Sequence, residues 1–408
     1  MNSKIEINIC DYLMAKGVNI PLPHTLFIGP EVDPERISGD RVTLYPGTRI
    51  TGKNTLIMPG TILGQEAPVT LDNCYIGPDT HLKGGFFQDA VFVGKNSFGS
   101  GAHVRGGTIL EEEANAAHTV GLKQTILFPF VTLGSLINFC DCLMAGGTSR
   151  KNHSEVGSSY IHFNYTPNQD KATPSMLGNV HQGVMLDQHP IFLGGQGGLV
   201  GPRTLAFGTV TAAGTLCRRD EVRPDRLILG GAMKSATLPN AGKIYQDVHG
   251  IFEKNCRYIS SLCALLAWYE QVRPLFATEV LSRALLDGMQ ASLKKCIAER
   301  IHRLDVFCAG LEISLEHLLQ RGAGKKTSLV NDHETLMAQW PEIRRCMEKK
   351  VMIETLPGAP DLFLKAMEQG IAIHGADYVR VIQSLGLDMR LLAITWLKKI
   401  EKDIASNG

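Results

Sequence analysis

The sequence predicts a mainly β and then α protein: a left-handed parallel β-helix of hexapeptide repeats, followed by an all-α domain. Three observations carry this. First, an apolar residue recurs every six positions: Leu44, Ile50, Leu56 and Ile62; then Phe86, Phe92, Phe98, Val104 and Leu110; then Val131, Ile137 and Leu143; then Leu193, Leu199 and Leu205. Neither a helix, with period 3.6, nor an ordinary strand, with period 2, gives that spacing. A β-helix does, because each coil has three flat faces of about six residues and each face points one apolar side chain inward. Second, turn residues punctuate the runs, as in Pro46-Gly47-Thr48, Gly52-Lys53-Asn54, Pro59-Gly60-Thr61 and Gly94-Lys95-Asn96. Third, the glycines thin out from about residue 240, where Leu, Ala, Glu, Lys and Arg take over.

In chain order, residues 1–23 are expected to form a cap, with Ile5, Ile7, Tyr12, Leu13 and Met14 able to pack. Residues 24–236 carry the six-residue period, enough for roughly ten to twelve coils of about eighteen residues. The period breaks at Glu111-Glu112-Glu113, over 144–155 and over 164–174. Those stretches are expected to project as loops, because insertions in solenoids leave the coil. Residues 240–408 are expected to form an α-helical domain of about six helices. Leu281, Leu285, Met289, Leu293, Ile297 and Ile301 recur every four residues and make a core-facing helical stripe. Asp388 is expected to cap a final helix bearing Leu391, Leu392, Ile394 and Leu397. Gly322-Ala323-Gly324 and Leu356-Pro357-Gly358-Ala359-Pro360 separate helices.

Composition narrows the function. The chain has 408 residues, 44% of them hydrophobic, and a net charge of +1. That charge predicts no general attraction to nucleic acid or to an anionic membrane. No apolar run reaches membrane-spanning length, and the start lacks the apolar core of a signal peptide. Ten scattered cysteines form no disulfide framework, so the cytoplasm is the expected compartment. Cys140-Asp141-Cys142 has no second pair at zinc-site spacing, so no metal is expected and the thiols are taken as β-helix packing.

The stretch from Asn138 to Lys234 carries the chemistry. It contains Ile191-Phe192-Leu193-Gly194-Gly195-Gln196-Gly197-Gly198-Leu199-Val200-Gly201-Pro202, then Thr211-Ala212-Ala213-Gly214-Thr215. Upstream lies Phe163-Asn164-Tyr165-Thr166-Pro167-Asn168-Gln169-Asp170-Lys171, and downstream Ile228-Leu229-Gly230-Gly231-Ala232-Met233-Lys234. This stretch resembles the last coils of the acetyltransferase domain of the bacterial bifunctional glucosamine-1-phosphate acetyltransferase/N-acetylglucosamine-1-phosphate uridyltransferase family, among the hexapeptide-repeat acyltransferases. The resemblance implies a homotrimer that binds acetyl-CoA between neighbouring β-helices. It implies coenzyme contacts at Asn164, Tyr165, Gly195, Ala213 and Lys234. It implies acceptor contacts at Asn138, Arg150, Lys151 and Lys171, the acceptor being an amino-sugar phosphate or a nucleotide sugar.

Physical chemistry asks three things of such a reaction. A base must take the proton of the attacking amine, donors must meet the thioester oxyanion, and a slot must hold the pantetheine arm. Small residues along a β-helix edge suit the slot; tight coil corners also need glycine. Ser149-Arg150-Lys151-Asn152-His153 resembles the family segment that ends in its catalytic histidine, which makes His153 the first candidate base. His162, just before Asn164, is the second; His181 and His189 lie further downstream. Fewer residues separate His153 from Asn164 than the family has between its histidine and its Asn-Tyr pair. The family's glutamate near Asn138 is matched by Asp141, its substrate-binding lysine has no counterpart, and Gly195 replaces its coenzyme-contacting serine. Those departures leave a second hypothesis open: a non-catalytic β-helix that binds a sugar nucleotide or scaffolds a partner enzyme. A zinc hydro-lyase of the γ-carbonic-anhydrase type is a third, but the histidines lack that family's close pair. Gly146-Gly147-Thr148-Ser149-Arg150 faintly resembles a sugar-nucleotidyltransferase signature, with no Rossmann-like domain around it.

Overall fold

The computed structural model describes residues 9–231, 235–237, 242–322, 327–352 and 356–405. A parallel β-solenoid is followed by helices, as the period predicts. Ten strands stack on the first face, from Thr43–Leu44 to Leu227–Ile228. Their inward column runs Leu44, Leu63, Leu82, Phe98, Ala116, Leu133, Val156, Leu193, Thr211 and Ile228. The second face holds Arg49–Thr51, Gly85–Gln88, Ala102–Val104 and Gly198–Val200, among others. The third holds Leu56–Ile57, Tyr75–Ile76, Ala90–Phe92 and Thr108–Leu110. Phe87, Phe92 and Phe98, one from each face, meet edge to face inside a single coil, with centroids 5.4–6.2 Å apart.

The phase of the repeat slips in the early coils. Ile57, Leu63 and Phe87 take the inward places, where the six-residue period puts Leu56, Ile62 and Phe86. The cause is corner length: Leu44, Leu63 and Leu82 stack directly, and each interval is one residue longer than three hexapeptides. Gly47 and Gly60 turn corners at φ 77° and 73°, where a side chain is strained.

Ile9–Lys16, α1, packs Leu13 into the first coils, whereas Tyr12 and Met14 are exposed. Ile5 and Ile7 lie outside the described residues. Glu111-Glu112-Glu113 is an ordinary coil corner rather than a projecting loop. The other two breaks are insertions: a hairpin of Gly147–Ser149 and Asn152–His153, and the 164–174 segment followed by Val180–Gly183, α2.

Six helices follow among the described residues: α3 Val248–Gln271, α4 Val280–Gln320, α5 Ser328–Met352, α6 Asp361–His374, α7 Tyr378–Ser384 and α8 Leu387–Ala405. Leu285, Met289, Leu293, Ile297 and Ile301 form the buried stripe of α4. Asp388 sits inside the first turn of α8 instead of capping it; a carboxylate there still favours the helix dipole.

The 41-residue α4 lies on strands of the third face. That face is apolar on both sides. Ile57, Ile76, Phe92, Leu110, Leu127 and Met144 point inward, while Leu56, Val91, Ile109, Ile126 and Leu143 point outward and are buried all the same. Each outward aliphatic contributes roughly 1.5–3 kcal/mol by leaving water. The solenoid and the helices therefore share one continuous apolar core.

Candidate functional site

The candidate residues fall on three different corners of the solenoid. The first corner joins the first face to the second. Here Ser159, Gln196 and Gly214 turn with positive φ, and each donates its N–H to the coil below, to Ser135, Ser158 and Gly195 respectively. The residues just before the turn therefore stack as Ser135, Ser158, Gly195 and Ala213, a column of small side chains. Gly194 allows no side chain, because a Cβ there would lie 2.5 Å from the backbone of Ala212. Gly195 is tight against the Ser158 backbone, whereas Ala213 is exposed on the rim. Exposed apolar side chains flank this column: Phe192 and Val210 on one side, Ile161 and Leu216 on the other. Asn138 points outward in the same ladder as Ile161 and accepts a hydrogen bond from Cys140.

The second corner joins the second face to the third. His162 stands in the inward column, between Phe139 and Leu199. It is buried, and one ring nitrogen hydrogen-bonds Ser175 Oγ at 2.8 Å. Burial lowers its pKa to about 4. A neutral ring inside the solenoid cannot meet a substrate outside it, so His162 is a core residue. Asn164 donates to Asp141 Oδ2 at 2.6 Å, and Asp141 in turn pairs with Arg300 of α4 at 2.9 Å. Tyr165 and Lys171 are exposed. The loop between them is held to the helical region, for Tyr245 donates to Asp170 and Asn255 to the Ala172 carbonyl.

The third corner joins the third face to the first and carries the hairpin. Arg150 Nη1 donates to the Glu113 and Phe130 carbonyls and to Thr132 Oγ1, at 2.8–3.0 Å, which ties the hairpin to the coil edge. Lys151 is exposed. His153 is half-buried; its Nε2 lies 3.7 Å from Glu155 Oε2 and its buried Nδ1 has no partner. Lys234 lies outside the described residues.

One face of about six residues, at ~3.3 Å per residue, separates neighbouring corners by roughly 20 Å. Within one copy the structure therefore keeps apart His153, the Asn164–Tyr165 pair and the Gly195–Ala213 rim. Of the three corners, only the first lies between two faces that α4 does not cover.

Two buried cations were not singled out by spacing or motif. Arg273 pairs with both Glu111 and Glu112, and its guanidinium lies 3.4 Å from the Tyr378 ring centroid. Arg300 meets Asp141 from α4. Their signal was the broken period itself, since a Glu-Glu pair and an Asp between two Cys stand where apolar or turn residues belong. Among the described residues no group of three or more His, Cys, Asp or Glu side chains is placed to hold a metal ion. No helix among them is long and apolar enough to cross a membrane.

No family model matches the chain. It is similar to curated proteins named "Bifunctional protein GlmU". That of Staphylococcus haemolyticus is 27% identical over 219 residues, covering 54% of this chain and 43% of the relative. That of Fervidobacterium nodosum is 26% identical over 235 residues, covering 55% and 44%. That of Geotalea uraniireducens is 28% identical over 222 residues, covering 54% and 43%. The chain thus spans less than half the length of these curated relatives.

Proposed function

We propose that this chain is an acetyl-CoA-dependent N-acetyltransferase for an amino-sugar phosphate or a nucleotide-linked amino sugar, acting as a homotrimer in the cytoplasm. The observation that carries this is the first corner: a column of small residues, flanked by exposed aliphatic and aromatic side chains, in the stretch that resembles the acetyltransferase coils. The relatives named GlmU support the same class. Acetyl-CoA, when bound, supplies the acyl group as a thioester. The chain's part is to hold the pantetheine arm against the rim at Gly195 and Ala213, and to take the amine proton at His153.

The dispersal of the candidates over three corners supports assembly. A site that uses all of them needs edges from more than one copy, and the apolar flanks at Phe192, Val210, Ile161 and Leu216 suit such a contact. Light scattering of the 44.5 kDa chain should therefore give a species of three chains. A stable monomer at micromolar concentration would remove the shared site.

Ala213→Trp tests the slot. The position is an exposed corner, so an indole should leave the fold intact and fill the rim. Coenzyme A titration should show saturable binding by the parent and at least tenfold weaker binding by the variant. Equal affinities would mean that the arm lies elsewhere.

A second reading is a non-catalytic β-helix that binds a sugar nucleotide or scaffolds a partner. The core position of His162, and the ties from Asn164 to Asp141 and from Arg150 to backbone carbonyls, favour it. The same titration separates the two, since this second reading needs no coenzyme.

A further inference from the structure

The 164–174 segment leaves the solenoid at the second corner and is tied to the helical region along its length. At its start, Asn164 Nδ2 donates to Asp141 Oδ2 at 2.6 Å, and Asp141 pairs with Arg300 of α4 at 2.9 Å. Both members of that ion pair are buried. In the middle, Asn168 Nδ2 donates to the Lys243 carbonyl at 2.9 Å, and the Tyr245 hydroxyl donates to the buried Asp170 at 2.6 Å. At the end, Asn255 Nδ2 of α3 donates to the Ala172 carbonyl at 3.0 Å. Tyr245 is itself fixed: its N–H donates to Ser314 Oγ of α4 at 2.9 Å, and its ring meets Phe307 edge to face, with centroids 4.8 Å apart. Gly310 of α4 makes the room, since a Cβ there would lie 2.9 Å from the Tyr245 hydroxyl. Glycine inside a helix is otherwise unfavourable.

One large side chain of this segment stands out from the protein. Tyr165 is 79% exposed, although Asn164 before it is anchored and Thr166 after it is buried. Further along, Gln169 and Lys171 hold left-handed φ of 59°, which such residues keep only where the surroundings impose it. A fixed backbone thus presents an aromatic ring that the described residues of its own copy leave uncovered. Such a ring carries a large apolar area and one polar tip, and it gains by packing on a neighbour. Asn164 Nδ2 is committed to Asp141, so Asn164 is the anchor and Tyr165 the group presented.

We propose that the helical region takes part in the shared acetyltransferase site: Arg300, Tyr245 and Asn255 are positioning residues that hold the 164–174 segment so that Tyr165 packs on coenzyme A lying against the Gly195–Ala213 rim of a neighbouring copy. The inference rests on the acetyltransferase reading above and adds a source of order that lies outside the solenoid. A side chain ordered in advance avoids the entropy of ordering it on binding. Arg300 acts only through Asp141, for its own side chain is buried away from any coenzyme.

Two double variants loosen the segment without stranding a charge: Arg300→Leu/Asp141→Asn and Tyr245→Phe/Asp170→Asn. Trypsin cleavage after the exposed Lys171 reads the segment in the folded full chain, and titration with coenzyme A reads the site. Both double variants should be cut there at least about tenfold faster than the parent. Both should bind coenzyme A about five- to tenfold more weakly. Tyr165→Ala should weaken binding by the same factor, and adding it to either double variant should cause no further loss. Arg300→Lys should bind like the parent, since Nη2 alone meets Asp141 while Nε and Nη1 have no hydrogen-bond partner among the described residues. Phe363→Leu, a core change in α6 against Trp268, loosens the helical region elsewhere and should alter neither readout. Equal coenzyme binding by the parent and the double variants would overturn this inference and leave the acetyltransferase reading standing. No binding by the parent would overturn both. Unchanged cleavage at Lys171, or a loss of binding in Phe363→Leu as large as in the double variants, would also overturn it.

Discussion

Arg273→Ala should destabilise the protein by about 3–5 kcal/mol, the usual loss when one partner of a buried ion pair is removed. In a chain of 408 residues with one continuous core that lowers the unfolding midpoint by roughly 4–6 °C. The reason is local. Glu111 and Glu112 both point at this one guanidinium, and Glu111 and Arg273 are almost fully buried. Burial already raises the Glu111 carboxyl to about 7, against the pull of Arg273. Without the cation, Glu111 is driven further toward its protonated form, Glu112 is left as an unpaired charge beneath the helices, and the stacking on Tyr378 is lost as well. Denaturant unfolding of Arg273→Ala beside Arg273→Ala/Glu111→Gln/Glu112→Gln measures the effect. The triple variant should recover part of the loss, because it leaves no unpaired charge. A single variant as stable as the parent would mean that the ion pair does not form.

That bridge lies where the sequence was least legible. The solenoid could be recognised because one inward side chain per face imposes a six-residue beat that nothing else produces. Its phase was harder, because corners vary by one residue: Phe86 and Phe87 are equally apolar, and only the coil register sets which one points in. The doublets Val91-Phe92, Ile109-Leu110 and Ile126-Leu127 held a further message, that this face is covered on its outside. An exposed β-helix face alternates apolar and polar; a face covered by helices does not. The docking of the helical region was thus written in adjacent residues, whereas the hexapeptide period draws the eye to residues six apart.

The candidate site was legible in part, and for a related reason. Residue type marks the Gly195–Ala213 rim, since small residues at successive corners stack in space. Residue type does not say which way His162 faces. Its neighbours Ile161 and Phe163 are apolar and partly exposed, while the histidine between them turns inward to Ser175. Alternation decided this, and the polar residue took the buried place.

Replacing the two histidines should therefore give opposite results. His153→Ala should lower acetyl transfer at least about a hundredfold, the usual share of a general base, and leave coenzyme A binding intact. His162→Leu should keep turnover at neutral pH and change the acid stability instead. The unfolded chain takes up a proton at this histidine near pH 6.5, but the folded chain resists until about 4. Between those values the unfolded state binds more protons, so stability falls as pH falls, and below about 4 the effect is level. The span corresponds to about 3 kcal/mol. Leucine removes this acid penalty, together with the hydrogen bond to Ser175. Glu111, raised by burial, has the opposite slope, but it is present in both proteins and cancels from the difference. Denaturant melts at pH 7.5 and pH 4.5 should thus show the variant gaining on the parent by about 2–3 kcal/mol in acid. A difference independent of pH would mean that the folded chain does not hold His162 neutral. Full turnover by His153→Ala would remove that residue as the base, and loss of turnover at neutral pH in a folded His162→Leu would give the core histidine a part in the reaction.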